Sequence, residues 1–311
     1  MKVLVTGGAG FIGRHVDEYF QDRAEVYVID NLRSGFEQNL NGVQCKLILG
    51  SILDRDLVRK AMDGVDYVFH LAAMTSVPES IEKPTECAEI NSAGTLLLLE
   101  EAARAEAKKF VFSSSAAIYG DSPAIPKTES TPPEPKSPYA SCKLEGEHHC
   151  TRFTDEDRLQ TVCLRYFNVF GAYQNPNSQY AAAVPSFIQS AIKNQPITIF
   201  GNGSQTRDFI YVKDVVAANV FFATESSPTG IFNVATGRGF TVNDLTAAIC
   251  RLTNSSSEIR HAQERPGDIR HSVASVDKVH EAGFATTYQF EDGLSETIDF
   301  FRSNQRANRL R

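Results

Sequence analysis

A tyrosine and a lysine four residues apart, in the segment SPYASCKLEGE at residues 137–147, have a spacing that could support proton chemistry. Ser137 is a favoured N-cap and Pro138 suits the first helical position, so the segment predicts a helix beginning here. Tyr139 and Lys143 then share one face of that helix. An ammonium group stabilises a nearby phenolate, so we expect the pKa of Tyr139 to fall toward neutrality and its oxygen to act as a base. The same spacing also occurs on ordinary surface helices, so the rest of the chain must decide.

The composition narrows the class of protein. A chain of 311 residues can form one large domain or two modest ones, and its formal charge of −7 argues against nucleic acid as a partner. The six cysteines include no C-x-x-C pair, so we expect free thiols in a reducing compartment. The N-terminal apolar run is too short for a signal peptide, and no apolar stretch is long enough to span a bilayer. We therefore expect a cytoplasmic protein without a membrane partner.

We also expect no metal site, because the adjacent His148 and His149 cannot share a helix face as metal ligands do.

Short apolar strands alternate with helical patterns through the first half of the chain. The strand segments are KVLVT, EVYVID, CKLILG, DYVFHLAA and KKFVFSSS, and the helical segments are FIGRHVDEYF, DRDLVRKAM and the stretch around NSAGTLLLLEEAARA. Buried strands alternating with helices indicate a parallel sheet covered on both faces. The predicted fold class is therefore α/β, a Rossmann-type doubly wound parallel sheet, which binds ligands beyond the carboxyl ends of its strands.

A glycine motif, G-x-x-G-x-x-G, lies between the first strand and its helix at Gly7, Gly10 and Gly13. Glycine permits a tight turn there and lets the backbone approach a pyrophosphate, which the helix N-terminus attracts. Asp30 ends the second strand, where it can accept hydrogen bonds from a ribose diol and repel a 2′-phosphate. The pattern predicts NAD rather than NADP, although the nearby Arg33 complicates that preference.

Taken together, these motifs resemble the extended short-chain dehydrogenase/reductase family, and within it most closely the UDP-sugar 4-epimerases. The matching segments run in order along nearly the whole chain: GGAGFIG (7–13), DNLRSG (30–35), HLAA (70–73), SSSAAIYG (113–120), YASCK (139–143), LRYFNVFG (164–171), RDFIYVKD (207–214) and RPGDIRHS (265–272).

The resemblance implies a mechanism of C4 epimerisation through a transient 4-keto sugar. Tyr139 would take the proton of the sugar 4-hydroxyl, Lys143 would lower the pKa of Tyr139 and bind the nicotinamide ribose, and Ser115 would donate to the same sugar oxygen. Related 4,6-dehydratases carry an Asp-Glu pair where this chain has Ala116 and Ala117, so the extra acid and base of an elimination are missing. A nucleotide-sugar reductase or dehydrogenase using NAD(P), and a UDP-glucuronate 4-epimerase, remain open as alternatives.

The resemblance also implies two binding sites. The residues expected at bound NAD are Gly7, Gly10, Phe11, Ile12, Gly13, Asp30, Asn31, Arg33, Ser34, Gly35, Ser51, Ile52, Leu71, Ala72, Ala73, Asn91, Ser113, Tyr139, Lys143, Tyr166 and Val169. Ser51 departs from the family, because many relatives carry an aspartate there that touches the adenine. The residues expected at the UDP-sugar are Ser76, Val77, Ser115, Tyr139, Asn168, Val184, Thr198, Phe200, Arg207, Arg265, Asp268 and Ser272. A small side chain at Ser272, where some hexose epimerases carry tyrosine, and the segment QNPNSQY (174–180) favour UDP-GlcNAc and UDP-GalNAc, with UDP-glucose and UDP-galactose still possible.

The strand–helix alternation weakens after LRYFNVFG, which divides the chain into two predicted units. Residues 1–171 form the NAD-binding Rossmann domain, and residues 172–311 form a smaller UDP-sugar-binding domain, with some segments returning to the first. Helices in the second unit are expected to be capped by Asp214 and Thr241, the latter through a capping box with Asp244. The resemblance further implies a homodimer, formed by helices around residues 91–105 and 138–153.

Overall fold

The computed structural model describes residues 1–176, 182–224, 228–264 and 269–309. In chain order, the strands of these ranges are β1 (Lys2–Thr6), β2 (Glu25–Asp30), β3 (Lys46–Leu49), β4 (Tyr67–His70), β5 (Lys109–Ser115), β6 (Thr161–Tyr166), β7 (Asn168–Phe170), β8 (Ile197–Phe200), β9 (Thr206–Arg207), β10 (Phe209–Tyr211), β11 (Gly230–Val234), β12 (Phe240–Thr241), β13 (Ile259–Ala262) and β14 (His271–Ser272). The α-helices are α1 (Phe11–Phe20), α2 (Arg55–Met62), α3 (Val77–Glu82), α4 (Pro84–Ala88), α5 (Gly94–Arg104), α6 (Pro138–Asp155), α7 (Ala183–Ile192), α8 (Val212–Thr224), α9 (Val242–Thr253), α10 (Asp277–Glu281) and α11 (Phe290–Arg309). Short 3₁₀ turns occupy Glu37–Leu40 and Ala116–Tyr119, and a π-helical turn occupies Glu89–Ala93.

Seven strands form one parallel sheet in the order β3-β2-β1-β4-β5-β6-β11. The chain winds outward in both directions from the boundary between β1 and β4, which is the topological switch point of a doubly wound sheet. The predicted Rossmann-type fold is confirmed. β11 comes from the second half of the chain, so that half is interleaved with the first, while the division at residue 171 stays a prediction.

Alternate residues of the central strands pack into different clusters on the two faces of the sheet. Val3 and Val5 of β1 are buried with Phe20 of α1, whereas Leu4 is buried on the other face with Leu98 of α5. This period of two, combined with burial on both faces, explains why the strands read as continuous apolar runs.

A separate apolar cluster packs the helices and short strands of the second half of the chain together. Phe187 of α7, Ile199 of β8, Leu245 of α9 and Ile298 of α11 all belong to it. The short strands pair outside the main sheet, as β7 with β10, β8 with β13, and β9 with both β12 and β14. This region therefore has its own core, which forms beside the carboxyl edge of the large sheet.

The predicted helix starts are confirmed in two of three cases. Ser137 Oγ accepts from Ala140 N at 3.2 Å at the start of α6, and Thr241 and Asp244 form the expected capping box of α9. The prediction for Asp214 was wrong. Asp214 lies within the first turn of α8, and its buried carboxylate accepts instead from the backbone N–H groups of residues 287 and 288.

A buried ion pair joins helix α6 to the sheet. Arg165 of β6 and Glu147 of α6 are almost fully buried, with side-chain exposures of 3% and 1%, and their closest N–O distance is 2.7 Å. Glu147 also accepts from Ser114 Oγ at 2.6 Å, and Arg165 donates to the Tyr119 hydroxyl at 2.9 Å. A charge this deeply buried is tolerated only because its partner and hydrogen bonds satisfy it.

Arg165→Met is therefore expected to destabilise the fold by about 3–5 kcal/mol, because it leaves the Glu147 carboxylate buried without its partner. The matched control is Arg152→Met, which breaks a surface pair with Glu156 and should cost less than about 1 kcal/mol. Urea unfolding of both variants at pH 7 measures the difference. Equal and small losses would contradict the prediction.

Candidate active site

A cavity of about 550 Å³ opens beyond the carboxyl ends of the central strands. This is the edge where a doubly wound sheet binds its ligand. Most of the residues expected at NAD line this cavity. They are Gly7, Gly10, Phe11, Ile12, Gly13, Asp30, Asn31, Arg33, Ser34, Gly35, Ser51, Ile52, Leu71, Ala72, Ala73, Ser113, Tyr139, Lys143, Tyr166 and Val169.

The glycine motif packs too tightly for any side chain. Gly7 has φ +74°, and a Cβ there would lie 2.8 Å from the Ala72 backbone nitrogen, while a Cβ on Gly13 would lie 2.3 Å from the Gly7 carbonyl oxygen. Helix α1 follows at once, and its N-cap, Gly10, provides no side-chain cap. The first amides of the helix are thereby left for a ligand, which fits the diphosphate of a dinucleotide.

Asp30 is held in place by the backbone around it. Its two carboxylate oxygens accept from Ala9 N at 3.0 Å and Leu32 N at 2.8 Å. Burial raises the pKa of Asp30, and these two donors oppose that shift. The carboxylate is therefore fixed at the end of β2, where a ribose diol can donate to it.

A hydrogen-bond chain through His70 supports the cavity floor. His70 Nδ1 lies 2.7 Å from Thr6 Oγ1, and its Nε2 lies 2.9 Å from Thr95 Oγ1. Burial lowers the pKa of His70 well below its usual value, so the ring is neutral. Because Thr95 donates to the Asn91 carbonyl, we assign the ring proton to Nε2, with Nδ1 accepting from Thr6. The chain fixes the start of the 71–73 segment that lines the cavity.

The three residues expected to be catalytic meet at one end of this cavity. Ser115 is the last residue of β5, and its hydroxyl lies near enough to Tyr139 to lower the pKa of the phenol. The Lys143 ammonium group donates to the Ser113 carbonyl at 2.6 Å and lies 6.0 Å from the centre of the Tyr139 ring. A strand end and the first turns of α6 thus place a hydroxyl, a phenol and an ammonium group together.

The sequence predicted a lowered pKa for Tyr139, and this prediction was wrong for the protein itself. Burial raises the pKa of Tyr139 above its usual value, and the nearby Ser115 hydroxyl offsets only part of that shift. Burial also lowers the pKa of Lys143 to about 8. The physical reason is desolvation, which opposes charge on both groups and which the pattern Y-x-x-x-K does not reveal.

A second cavity, of about 390 Å³, adjoins the first. Asn168, Val169 and Ala182 line both, so the two cavities join next to β7. The residues expected at the UDP-sugar that line the second cavity are Asn168, Val184, Thr198, Phe200 and Arg207. Arg207 can supply positive charge to a diphosphate in this cavity.

The remaining predicted residues lie elsewhere. Asn91 does not line the cavity: its buried amide accepts from Met74 N at 2.7 Å and donates to Met74 O at 2.9 Å, so it supports the wall from behind. Ser76 caps α3 by accepting from Glu79 N, and Val77 is the exposed first residue of that helix. Neither Ser76 nor Val77 lines either cavity. Arg265, Asp268 and part of the segment 174–180 lie outside the described residues.

Ser272 stands beside the second cavity through strand pairing. It lies opposite Arg207 in the parallel pair of β14 and β9. Its carbonyl accepts from Asp208 N at 2.9 Å, which fixes this register. The side chain expected to set sugar specificity is therefore a direct strand neighbour of the arginine expected at the diphosphate.

Several lining residues were not among the predicted site residues. In the first cavity they include Thr75, Ile90, Gln174 and Asn175, and in the second they include Ser186, Ser190 and Gln205. The sequence could have indicated Gln174 and Asn175, because they begin the segment 174–180 that favours UDP-GlcNAc and UDP-GalNAc. Sequence also offered a signal for Ser186 and Ser190, because two serines four residues apart share one face of a largely apolar helix.

Two further expectations concern the chain as a whole. All six cysteines are free thiols, as predicted. Among the described helices, none combines the length and apolar character needed to cross a bilayer.

Comparison with known proteins places the chain in a family. The family model described as "NAD dependent epimerase/dehydratase family" matches residues 3–235, and the chain belongs to this family. NAD is therefore its cofactor, and the glycine turn, Asp30 and the adjoining cavity fit that molecule.

Solved structures of similar proteins cover almost the whole chain. The UDP-N-acetylglucosamine 4-epimerase of Methanobrevibacter ruminantium, in complex with UDP-N-acetylmuramic acid, is 40% identical with a TM-score of 0.94, covering 97% of this chain and 98% of that one. The UDP-glucose 4-epimerase of Thermotoga maritima, with UDP-glucose, is 38% identical with a TM-score of 0.94, covering 98% and 100%. A relative named for different chemistry, the dTDP-D-glucose 4,6-dehydratase of Mus musculus, is 32% identical over 97% of this chain and 89% of its own length.

Replacing Lys143 by methionine is expected to stabilise the fold while abolishing activity. The folded-state pKa of about 8 lies below the ordinary 10.5, so burying the charged form costs stability below pH 8. Between pH 8 and 10.5 the unfolded chain binds more protons, and this cost disappears as the pH rises. After allowing for the lost bond to Ser113, Lys143→Met should be more stable by about 1–3 kcal/mol at pH 7.

Urea unfolding at pH 7 and pH 10 measures this effect, and the advantage of Lys143→Met should shrink at the higher pH. Lys60→Met, at an exposed position on α2, is the control and should change little. A variant that is less stable than the parent at pH 7 would contradict the prediction.

Proposed function

We propose that the chain is a UDP-sugar 4-epimerase that uses bound NAD. The observation that carries the proposal is that Ser115, Tyr139 and Lys143 line the first cavity, which shares Asn168, Val169 and Ala182 with the second. One cavity fits the dinucleotide, and the other offers Arg207 and Asn168 to a second nucleotide diphosphate. The family and the names of two similar solved structures support the same activity.

Each side chain has one task in this reaction. Bound NAD would supply a hydride acceptor for the sugar C4 carbon and a hydride donor to its opposite face after the 4-keto sugar has turned over. Tyr139 takes the proton of the 4-hydroxyl and returns it to the same oxygen. Ser115 donates to that oxygen, and Lys143, anchored on the Ser113 carbonyl, holds positive charge beside the tyrosine ring.

The end of β5 favours epimerisation over dehydration. Elimination of water needs an acid and a base besides the tyrosine, and dehydratases of this type place an Asp-Glu pair directly after the hydroxyl residue. This chain has Ala116 and Ala117 there, in a 3₁₀ turn whose Ala117 N–H donates to Ser115 Oγ at 3.1 Å. Methyl groups cannot transfer protons, so this turn lacks the side chains that a dehydration would require.

We infer that UDP-GlcNAc and UDP-GalNAc are the preferred substrates. Ser272 is a small strand partner of Arg207, which lines the second cavity, and a tyrosine ring at this position would compete for space with a 2-acetamido group. The 40% identical relative named for UDP-N-acetylglucosamine supports this preference, and the 38% identical relative named for UDP-glucose supports the plain hexose as a second substrate.

The proposal also includes a homodimer, formed through α5 and α6. Leu96 and Leu97 on α5 and Leu144 on α6 are only partly buried within one chain. A second copy could cover these side chains, and size-exclusion chromatography with light scattering would detect it.

Purified protein without added NAD is expected to convert UDP-GlcNAc to UDP-GalNAc, because the cofactor is regenerated in each cycle. ¹H NMR of the two sugars follows the reaction, with UDP-glucose and UDP-glucuronate tested separately. Tyr139→Phe should lose at least about 100-fold in turnover, since the base is removed. If no sugar changes even with NAD supplied, or if turnover needs a stoichiometric redox partner, the epimerase proposal fails and a reductase or dehydrogenase takes its place.

Ser272→Tyr is expected to lower kcat/KM for UDP-GlcNAc by at least about tenfold while changing that for UDP-glucose by less than about threefold. The reason is steric, because the new ring occupies the space of the acetamido group. Ser272→Ala keeps the position small and is the control. Equal losses on both sugars would show that position 272 does not select the substrate.

A further inference from the structure

One charged cluster at the edge of the NAD cavity has no part in the proposed reaction. Arg33 lines the cavity beside Asp30, and its side chain extends to two glutamates on the short helices α3 and α4. Its Nη2 atom lies 2.8 Å from Glu79 Oε1, and its Nη1 atom lies 2.5 Å from Glu86 Oε1. These three residues, with Lys83 between the glutamates, are called the Arg33 cluster here.

The position of Arg33 is one where a cation would change cofactor choice. Asp30 and Asn31 mark the end of the cavity expected to hold the adenosine ribose, and NADP differs from NAD by a phosphate on that ribose. A guanidinium group at this point is the usual partner for such a phosphate, because its N–H groups form a fork that matches the oxygens. Judged by residue type alone, Arg33 favours NADP and opposes Asp30.

The two ion pairs of Arg33 remove this preference for NADP. Each terminal nitrogen of Arg33 donates to a different carboxylate, and the two ion pairs raise the pKa of the guanidinium above its ordinary value. Lys83 Nζ also lies 3.7 Å from Glu79 and 3.8 Å from Glu86, so two cations and two anions balance within the cluster. A 2′-phosphate approaching Arg33 meets a neutralised cluster and the Asp30 carboxylate.

Glu79 and Glu86 lie in the first turns of α3 and α4, so Arg33 loses both ion pairs if it turns away from these helices. Glu79 lies in the first turn of α3, whose N-cap Ser76 accepts from the Glu79 backbone N–H at 3.2 Å. The same helix contacts the start of α6, where Ser80 Oγ accepts from Tyr139 N at 3.3 Å. On the other side, the Arg33 backbone N–H donates to Asn31 Oδ1 at 3.1 Å. Both ends of the ion pairs are therefore attached to ordered backbone.

We propose that Glu79 and Glu86 are specificity-determining residues for the cofactor, which exclude NADP by holding Arg33 away from the 2′-position of the ribose. The proposal rests on the NAD site described above. It also explains how this chain keeps an NAD preference with an arginine beside Asp30.

A competition experiment tests the proposal without relying on turnover. The full chain is incubated with a large and equal excess of NAD and NADP until the ratio of bound nucleotides no longer changes, so that NAD retained from purification has exchanged. Free nucleotide is then removed, and the bound nucleotides are extracted and quantified by chromatography. The parent protein should carry almost only NAD. Glu79→Gln/Glu86→Gln should raise the ratio of bound NADP to bound NAD by about tenfold, the effect of one charge-assisted contact, because Arg33 is then released.

Two matched variants separate this effect from general loosening of the site. Glu82→Gln changes an exposed glutamate of the same helix outside the cluster, and it should leave the ratio unchanged. Adding Arg33→Ala to the double variant should cancel most of the gain, although Lys83 is still present. If the double variant folds poorly by thermal melting, Glu86→Gln alone should give a smaller rise in the same direction.

The possible outcomes are distinct. An unchanged ratio in the double variant, or a gain that persists without Arg33, would overturn the role of the glutamates. Failure of the parent protein to retain either nucleotide would overturn the NAD site itself and this proposal with it. A rise that depends on Arg33 supports both.

Discussion

The contact between helix α6 and strand β5 is the constraint on which the site depends. Tyr139, Lys143 and Glu147 are spaced by four residues on one face of α6, and that face lies against the three serines that end β5. Lys143 donates to the Ser113 carbonyl, and Glu147 accepts from Ser114 and pairs with Arg165. Because these are buried polar contacts, a shift of the helix by even one residue would leave charges unpaired. The register that places the phenol beside Ser115 is thus set two turns away, by an ion pair that takes no part in chemistry.

The same contact lowers the stability of the folded protein. Lys143 is buried deeply enough to lower its pKa to about 8, and Tyr139 is buried enough to raise its pKa, so folding opposes the charge on both groups. The sheet and its two apolar clusters supply the stability against which these groups are held. The His70 chain supports the cavity floor without adding a charge, because its neutral ring is hydrogen-bonded to two threonine hydroxyls.

Much of this could be predicted from sequence, because it depends on local pattern. The strands, the glycine turn, Asp30 and the start of α6 each follow from the types and spacing of neighbouring residues. What could not be predicted depends on residues far apart in the chain. Arg33 meets glutamates about fifty positions away, and Ser272 meets Arg207 through a strand pair across 65 positions. The cap predicted at Asp214 was wrong for the same reason, since its carboxylate accepts from backbone N–H groups more than 70 positions away, which no local pattern shows.

The titratable groups in and near the cavities also fit epimerisation better than they fit the elimination of water. Within the described lining, Asp30 is bound by two backbone donors, and the Tyr166 hydroxyl is hydrogen-bonded to Asn219 at 2.9 Å, with its pKa raised by burial. Asp208, close behind the second cavity, accepts from residues 236, 237 and 274. Beside Ser115 the described lining leaves Tyr139 and Lys143 for proton transfer. Epimerisation at C4 removes a proton from one oxygen and returns it to the same oxygen, which a single acid–base group such as Tyr139 can perform. Elimination of water moves protons at two further atoms, and the two alanines that follow Ser115 cannot take part in those transfers.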